Sequence, residues 1–498
     1  MKLFGISLNR HSIPLLFLAC SPIAFLLLRE SFTAFWPSVA TRAITVFLEL
    51  GFIALATLSI ANLKQWNISR RYSALLIIWL LWAGLSTVLG EHPWAGIVRW
   101  FELLISFIFG LFIYLLIQQS PQYKNLILYG IISALLFSLI CYIGLWFALE
   151  DPYSYKWVPS SPFFNNIRHY GYFVGTVLPL GYWLLESHEK DKRLFAILYL
   201  SLSWGLAFWL GGRGALLGII VATIIYMIIS TKNIKWVLLS ILIGAILSQF
   251  FIVQSGSLNL FHLLAWFNPG NDIDLNQISA NRLKIYQDSI SYWWSNAPIL
   301  GTGADAFRYI MPSITGISQP HSIIIQLIFS YGLIGLIIPL GLIILLSIRQ
   351  SKLDNRENSL IFLCIISAAI HALTDGVLYH AFGLFIVLIL LTLSIPSTKK
   401  ETQPLLKTTL LLSVLALMTY IIFSAQVVNS KNDSASDNWI EWNAKYPLYF
   451  SPEHWMSGND AATKDHLIEL ALTRSSAKCW FYSRHSDPIA SKLKTYCK

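Results

Sequence analysis

Arg168, Arg213, Arg282 and His321 are the residues of this chain whose types and settings could do chemistry. Each lies at the edge of an apolar run. Arg168 and His169 open one run, in Asn165-Asn166-Ile167-Arg168-His169-Tyr170. Arg213 sits in Gly211-Gly212-Arg213-Gly214, a hairpin so short that it barely leaves apolar surroundings. Its glycines permit tight turning and close approach of a ligand. Arg282 begins a predicted helix over 281–295. His321 stands in Gln319-Pro320-His321-Ser322, immediately before the apolar residues 323–329. A guanidinium is permanently charged and presents a planar fork of donors that fits phosphate oxygens. A neighbouring imidazole can accept a proton from an attacking hydroxyl. Taken singly, an arginine at a helix end is a snorkelling anchor and a histidine there is a structural residue. Together they suit a diphosphate-bearing lipid donor, an alcohol acceptor and transfer of a group between them.

The elements that must position these residues follow from hydropathy. Of 498 residues 56% are hydrophobic and only 12% charged, about half the charge of a soluble protein. Repeated apolar runs of roughly 17–25 residues mark an all-α, polytopic membrane bundle. Spans are predicted at 13–28, 43–63, 73–89, 96–118, 125–148, 170–186, 194–210, 214–230, 235–253, 322–348, 359–374, 380–396 and 408–426, about 12–13 in all. The first follows Lys2 and Arg10 but no small-residue cleavage site follows it, so it reads as a retained helix.

Basic residues fix the sides. With the N-terminus inside, the inner segments and their flanks hold seventeen lysines and arginines, from Lys2 and Arg10 to Lys399, Lys400 and Lys407. The short outer segments hold six: Arg29, Arg42, Arg99, Lys156, Arg168 and Arg213. That asymmetry is the positive-inside pattern. It also accounts for the net charge of +10 without an acidic partner, and no nucleic-acid motif or tandem repeat is present. The weakest span is 359–374; without it the C-terminal tail would change sides, but the long loop would not.

The chain then divides into membrane helices over 1–253, an outer loop over 254–320, membrane helices over 321–426 and an outer tail over 427–498. In the loop helix, Leu283, Tyr286, Ile290, Trp293 and Trp294 give an apolar, aromatic face suited to the membrane interface. Gly301-Thr302-Gly303 reads as a turn. His371, Asp375 and His380 bracket the last outer hairpin. Segment 464–475 of the tail reads as a helix, and Cys479 and Cys497 are a disulfide candidate in an oxidising compartment. No compact metal-ligand spacing such as HExxH occurs, so no metal site is expected.

Five pieces in order resemble the O-antigen ligase-like superfamily, which holds O-antigen ligases, O-antigen polymerases and bacterial O-linked protein oligosaccharyltransferases. They are Phe164-Asn165-Asn166-Ile167-Arg168-His169, Gly211-Gly212-Arg213-Gly214-Ala215-Leu216, Asn281-Arg282-Leu283-Lys284-Ile285-Tyr286, Ile299-Leu300-Gly301-Thr302-Gly303, and Pro320-His321-Ser322 with Gln326 and Tyr331-Gly332-Leu333-Ile334-Gly335-Leu336. Weaker similarity extends over 369–380. The resemblance implies a periplasmic loop covering a cavity that opens to the membrane. It implies a bacterial inner-membrane enzyme acting at the periplasmic face, an undecaprenyl-diphosphate-linked glycan as donor, inversion at the anomeric carbon, and no cofactor. By motif, His321 would be catalytic and Arg213 and Arg282 would hold the diphosphate, with Arg168 a weaker match. His169, Asn166, Gln319, His371 and Asp375 are supporting candidates, and whether Arg168 or His169 faces the site stays open. The acceptor could be lipid A-core, a protein Ser/Thr or a growing glycan, the last being the polymerase alternative. A thirteenth span and outer tail depart from relatives that end after the twelfth helix. A lipid-linked glycan transporter would need polar groups through the midplane, whereas here the charges gather on one face.

Overall fold

The computed structural model describes residues 2–3, 6–7, 12–31, 37–60, 70–152, 157, 162–164, 166–187, 189–249, 282–315, 319–351 and 356–395. The thirteenth span, the tail, its predicted helix and Cys479 and Cys497 lie outside the described residues. The described chain is helical except for connections and a short N-terminal hairpin, in which β1 (Lys2–Leu3) pairs antiparallel with β2 (Ile6–Ser7). Helices suit apolar surroundings because they satisfy their own backbone N–H and C=O groups.

Helices cover the other twelve predicted spans. They are α1 (Ser12–Ser31), α2 (Pro37–Ile60), α3 (Arg70–Val88), α4 (Pro93–Gln119), α5 (Lys124–Ala148), α6 (Ile167–Val177), α7 (Leu180–Leu185), α8 (Lys190–Leu210), α9 (Arg213–Ile229) and α10 (Ile234–Ser248). The loop supplies α11 (Arg282–Asn296), α12 (Phe307–Ile310) and α13 (Pro312–Thr315). Then come α14 (Ile323–Ser351), α15 (Arg356–Ala372) and α16 (Ala381–Ser394). Among the described residues, seven helices are long and apolar enough to cross a membrane by themselves. This is an all-α multi-pass membrane protein.

Two spans that read as continuous are broken. The span at 170–186 divides into α6 and α7 around Leu178 and Pro179, since proline lacks the N–H that would continue the helix. The span at 322–348 is interrupted at Gly332, whose φ of 67° and ψ of −169° are open only to glycine. The freed carbonyls are taken up by the Gly301-Thr302-Gly303 segment. Thr302 N donates to Phe329 O at 2.8 Å, Gly303 N to Ser330 O at 2.9 Å, and Leu333 N to Pro298 O at 3.2 Å. From α3, Ser86 donates to Ser330 O (2.7 Å) and Trp82 Nε1 to Tyr331 O (2.8 Å). A Cβ on Gly332 would stand 1.9 Å from Ile299 O. Gly332→Ala should therefore lower stability by more than about 3 kcal/mol, read as loss of folded yield and an early thermal transition in detergent.

The largest apolar core joins α1, α2, α4, α5, α6, α7, α8, α9, α10, α15 and α16, with Phe25 and Phe382 stacked at 3.8 Å. A separate cluster packs Ile285 and Trp293 of α11 against Phe307, Met311, Ile325 and Phe329. The face predicted for α11 therefore divides: Trp293 is buried and Tyr286 half-buried, but Leu283, Ile290 and Trp294 are exposed. At one end of the bundle, Glu186 accepts from Tyr226 (3.0 Å), Asn233 (2.9 Å) and Ser230, and pairs with Arg356 (3.0 Å) and Lys232 (3.4 Å). This ties the ends of α7 and α9 to the start of α15. At the other end, buried Glu102 of α4 receives Arg42 at 2.7 Å and Arg99 at 2.6 Å. Glu102→Ala removes the carboxylate both guanidiniums share and should cost about 3–5 kcal/mol, measurable by thermal unfolding.

Candidate active site

The starts of α6, α9, α11, α14 and α16 and the end of α15 converge at the end of the bundle that carries Glu102. Asp375, in the turn between α15 and α16, is the hub. Its Oδ1 accepts from Tyr172 Oη (2.7 Å), from the Gly376 N–H (2.8 Å) and from His321 Nδ1 (3.1 Å). Its Oδ2 faces Arg282 Nη2 at 3.2 Å, and Arg282 Nη1 donates to Thr374 O. Burial disfavours the charged form of Asp375. The His321 hydrogen bond and the Arg282 charge outweigh it and hold the carboxyl well below the usual carboxylate range. The ionised carboxylate accepts the Nδ1 proton of His321, which leaves Nε2 as the ring nitrogen able to take a proton.

His321 is held as firmly at its backbone. Its φ of 52° lies in the left-handed region, uncommon outside glycine. Tyr286 donates to His321 O at 3.0 Å and Tyr379 to Ser322 O at 2.6 Å. The Gln319 side chain lies against Gly376. The imidazole thus reaches the site from a locked turn, with its side chain 27% exposed.

The arginines assemble around this pair. Gly211, at φ 60°, closes α8 so that Arg213 starts α9 at once. Gly214 then lets α9 lie against α15, since a Cβ there would stand 2.6 Å from Thr374 Oγ1 and 2.7 Å from His371 Cδ2. Arg213 lies within electrostatic reach of both Arg282 and Arg168. Asn166 caps α6 by accepting from the Arg168 N–H at 2.9 Å, a role that turns the helix start without touching the site. Of the two residues left open by sequence, His169 points inward: its ring stands 4.6 Å from that of His380 and 5.3 Å from Tyr172. Arg168 is exposed, yet its charge still reaches His169. Arg168 and Arg282 thus both lie within electrostatic reach of Arg213, with Arg282 paired to Asp375.

Behind it lies a cluster of rings. His371 stands edge-on to Tyr172 at 5.2 Å, wedged between Gly175 and Gly214. His169 Nδ1, His371 Nδ1 and both ring nitrogens of His380 are buried without a hydrogen-bond partner among the described residues. Those residues contain no group of three or more histidine, cysteine or acidic side chains that could hold a metal ion.

Sequence reasoning missed Tyr172, Tyr286 and Tyr379. Two carried a usable signal, because Tyr172 lies three residues after His169 and Tyr286 four after Arg282, one helical turn in each case. Tyr379 carried none beyond its place in the hairpin.

No curated protein matches the chain. The sequence model of the O-antigen ligase family matches residues 198–340, from within α8 through the first part of α14. The matched segment holds Arg213, Arg282, His321 and the Gly301–Gly332 junction, while Tyr172 and Asp375 complete the site from outside it. Through that segment the chain is similar to the O-antigen ligase family, which supports a membrane enzyme of the O-antigen ligase or polymerase type.

Proposed function

We propose that this protein transfers a preassembled glycan en bloc from undecaprenyl diphosphate to an acceptor hydroxyl, at the periplasmic face of the inner membrane. The observation that carries this reading is the Asp375 carboxylate shared between His321 and Arg282. One anion aligns the group that takes a proton with a group that binds the leaving diphosphate. His321 Nε2 accepts the acceptor's hydroxyl proton as that oxygen attacks the anomeric carbon. The bond from that carbon to the diphosphate oxygen breaks, and Arg282, Arg213 and Arg168 neutralise the charge left on undecaprenyl diphosphate. A single attack from the opposite side inverts the anomeric centre. The residues supply both the base and the counter-charges, so the step needs no metal.

The arginines test the reading. Arg213→Lys and Arg282→Lys keep the charge but lose the planar fork. Each should insert normally and lose at least about tenfold in transfer, assayed with purified lipid-linked donor. Full activity in either variant would reduce that residue to an anchor. Deleting the gene discriminates the acceptors: lipopolysaccharide without polysaccharide marks lipid A-core, shortened chains mark a growing glycan, and an unglycosylated protein marks Ser/Thr.

A further inference from the structure

Arg42 and Glu49 of α2 stand seven residues apart and so share a face, as do Arg99, Glu102 and Ser106 of α4. The two helices pack along these faces. Arg42 meets Glu102 at 2.7 Å, and deeper in the bundle Ser106 Oγ donates to the carboxyl oxygens of Glu49, at 3.0 and 3.1 Å. A polar seam therefore descends about 10 Å into apolar surroundings from the end that holds the active site, at about 1.5 Å per residue. Thr45, between the two levels, donates to Thr41 O of its own helix. Below Glu49 the seam is shut by rings: Phe109 stands edge-on to Phe52 at 5.2 Å and stacks on Phe385 at 5.0 Å. The transfer mechanism uses none of these residues. An ionisable side chain at such depth is costly, and function is the usual reason to keep one.

The two carboxyls are served differently. Glu102 takes charged hydrogen bonds from Arg42 and from Arg99, which suits a carboxylate. Glu49 is 1% exposed, and among the described residues Ser106 is its one hydrogen-bond partner. One hydroxyl does not replace the water that an ionised carboxylate loses on burial, so the neutral acid fits this place. α1 meets this level of α2 through Phe17, which lies against Gly51, and α16 carries no ionisable side chain. The charged groups that face Glu49 come from α4: Glu102, which repels an ionised form, and Arg99. Arg99 is already engaged. Its Nη1 donates to Glu102 and its Nη2 to Tyr379 O at 3.5 Å, and the Tyr379 hydroxyl donates to Ser322 O, beside His321.

We propose that Glu49 is a proton-binding site, and that loss of its proton loosens the His321 turn. An ionised Glu49 draws Arg99, the cation that faces it, away from Tyr379 O, and the hold of Tyr379 on Ser322 weakens with it. The effect on the turn rests on the glycan-transfer reading above; the bound proton does not. The phenylalanine seal leaves the active-site end as the proton's route, so Glu49 responds to the pH on that side. Transfer is complete while Glu49 holds its proton and falls as rising pH removes it. An imidazole base works no worse as pH rises, so a fall on the alkaline side needs a second group of this kind.

Infrared spectra of the purified full chain, in water and in deuterium oxide, read the proton directly. A protonated carboxyl has a C=O stretch separate from the carboxylate bands, and deuteration shifts it. Glu49→Gln should remove one such band, Glu102→Gln should leave it, and Ser106→Ala should move it by removing the partner. Loss of carboxylate intensity in Glu49→Gln, or a band indifferent to Ser106→Ala, would overturn the proton site. The link to the turn is read from the pH profile of transfer with purified lipid-linked donor and acceptor. Glu49→Gln keeps the shape and the neutral state, so it should stay within about twofold of the unaltered chain at neutral pH and hold its rate where the unaltered chain falls at least about fivefold on the alkaline side. Matching alkaline limbs, or no fall in the unaltered chain, would overturn the link. If the unaltered chain transfers no glycan at any pH, the transfer reading fails and the link with it, while the infrared bands alone decide the proton site.

Discussion

Replacing His321 with alanine will leave expression and membrane insertion intact and cut glycan transfer at least about a hundredfold. A sugar or serine hydroxyl is a poor nucleophile at neutral pH, whereas the diphosphate is already a good leaving group. The demanding tasks are alignment and removal of the acceptor's proton, and a positioned imidazole typically supplies about 10²–10⁴ in rate. His321 meets the positional requirement: Nδ1 is fixed by Asp375 at 3.1 Å, and its carbonyl is fixed by Tyr286 at 3.0 Å. His169→Ala and His371→Ala should be milder. The measurement is in vitro transfer in chelator, with purified lipid-linked donor and acceptor. Near-normal transfer by His321→Ala would remove it as the base even if the glycan-transfer reading survived.

The second large effect is expected of Asp375→Asn. The substitution preserves shape but removes the negative charge that His321 and Arg282 share. An amide nitrogen can present its own N–H to Nδ1 and turn the imidazole to the wrong tautomer, an effect that costs about 10⁴ where a carboxylate–histidine pair has been tested in another enzyme. Arg282 would also lose its charged partner at 3.2 Å. The expected result is a fall in kcat of roughly 10²–10⁴, with a rise in donor KM from the displaced guanidinium. Tyr172→Phe removes one of the three donors to Oδ1 and leaves the charge, so it should retain far more activity. An Asp375→Asn variant with unchanged kcat and a raised donor KM alone would assign the carboxylate to Arg282 and not to His321.

The parts of this candidate site were legible in the sequence where they stand at element edges. Arg213, Arg282 and His321 each interrupt strong hydropathy, and a misplaced charge near lipid is conspicuous. The connections were not legible. Asp375 lies 54 residues from His321 in sequence and 93 from Arg282, and nothing local says that one carboxylate serves both. The fold shows the same division. Periodicity and length gave twelve described helices at their places, but both internal breaks escaped. Leu178-Pro179 carried a proline signal that hydropathy overrode. Gly332 looked like an ordinary small residue in an apolar helix, because its backbone angles are imposed by the distant Gly301–Gly303 segment. In α11 five apolar residues read as one face. They divide because α14 packs on only part of the helix, and a sequence pattern does not say which side will have a neighbour.

The junction at Gly332 bears on how relatives with other acceptors could be recombined. The stretch from Pro298 to Gly303 is stitched to the 329–333 backbone by main-chain hydrogen bonds, and that backbone is tied in turn to α3 through Ser86 and Trp82. Main-chain bonds tolerate many side chains but no change in register. A hybrid protein should therefore take its cut points before Arg282 or after Gly335 and inherit everything between them, together with its own α3, from one parent. A graft that splits the interval would import a foreign loop length into a backbone splice, and His321, a few residues upstream of the splice, would turn with it.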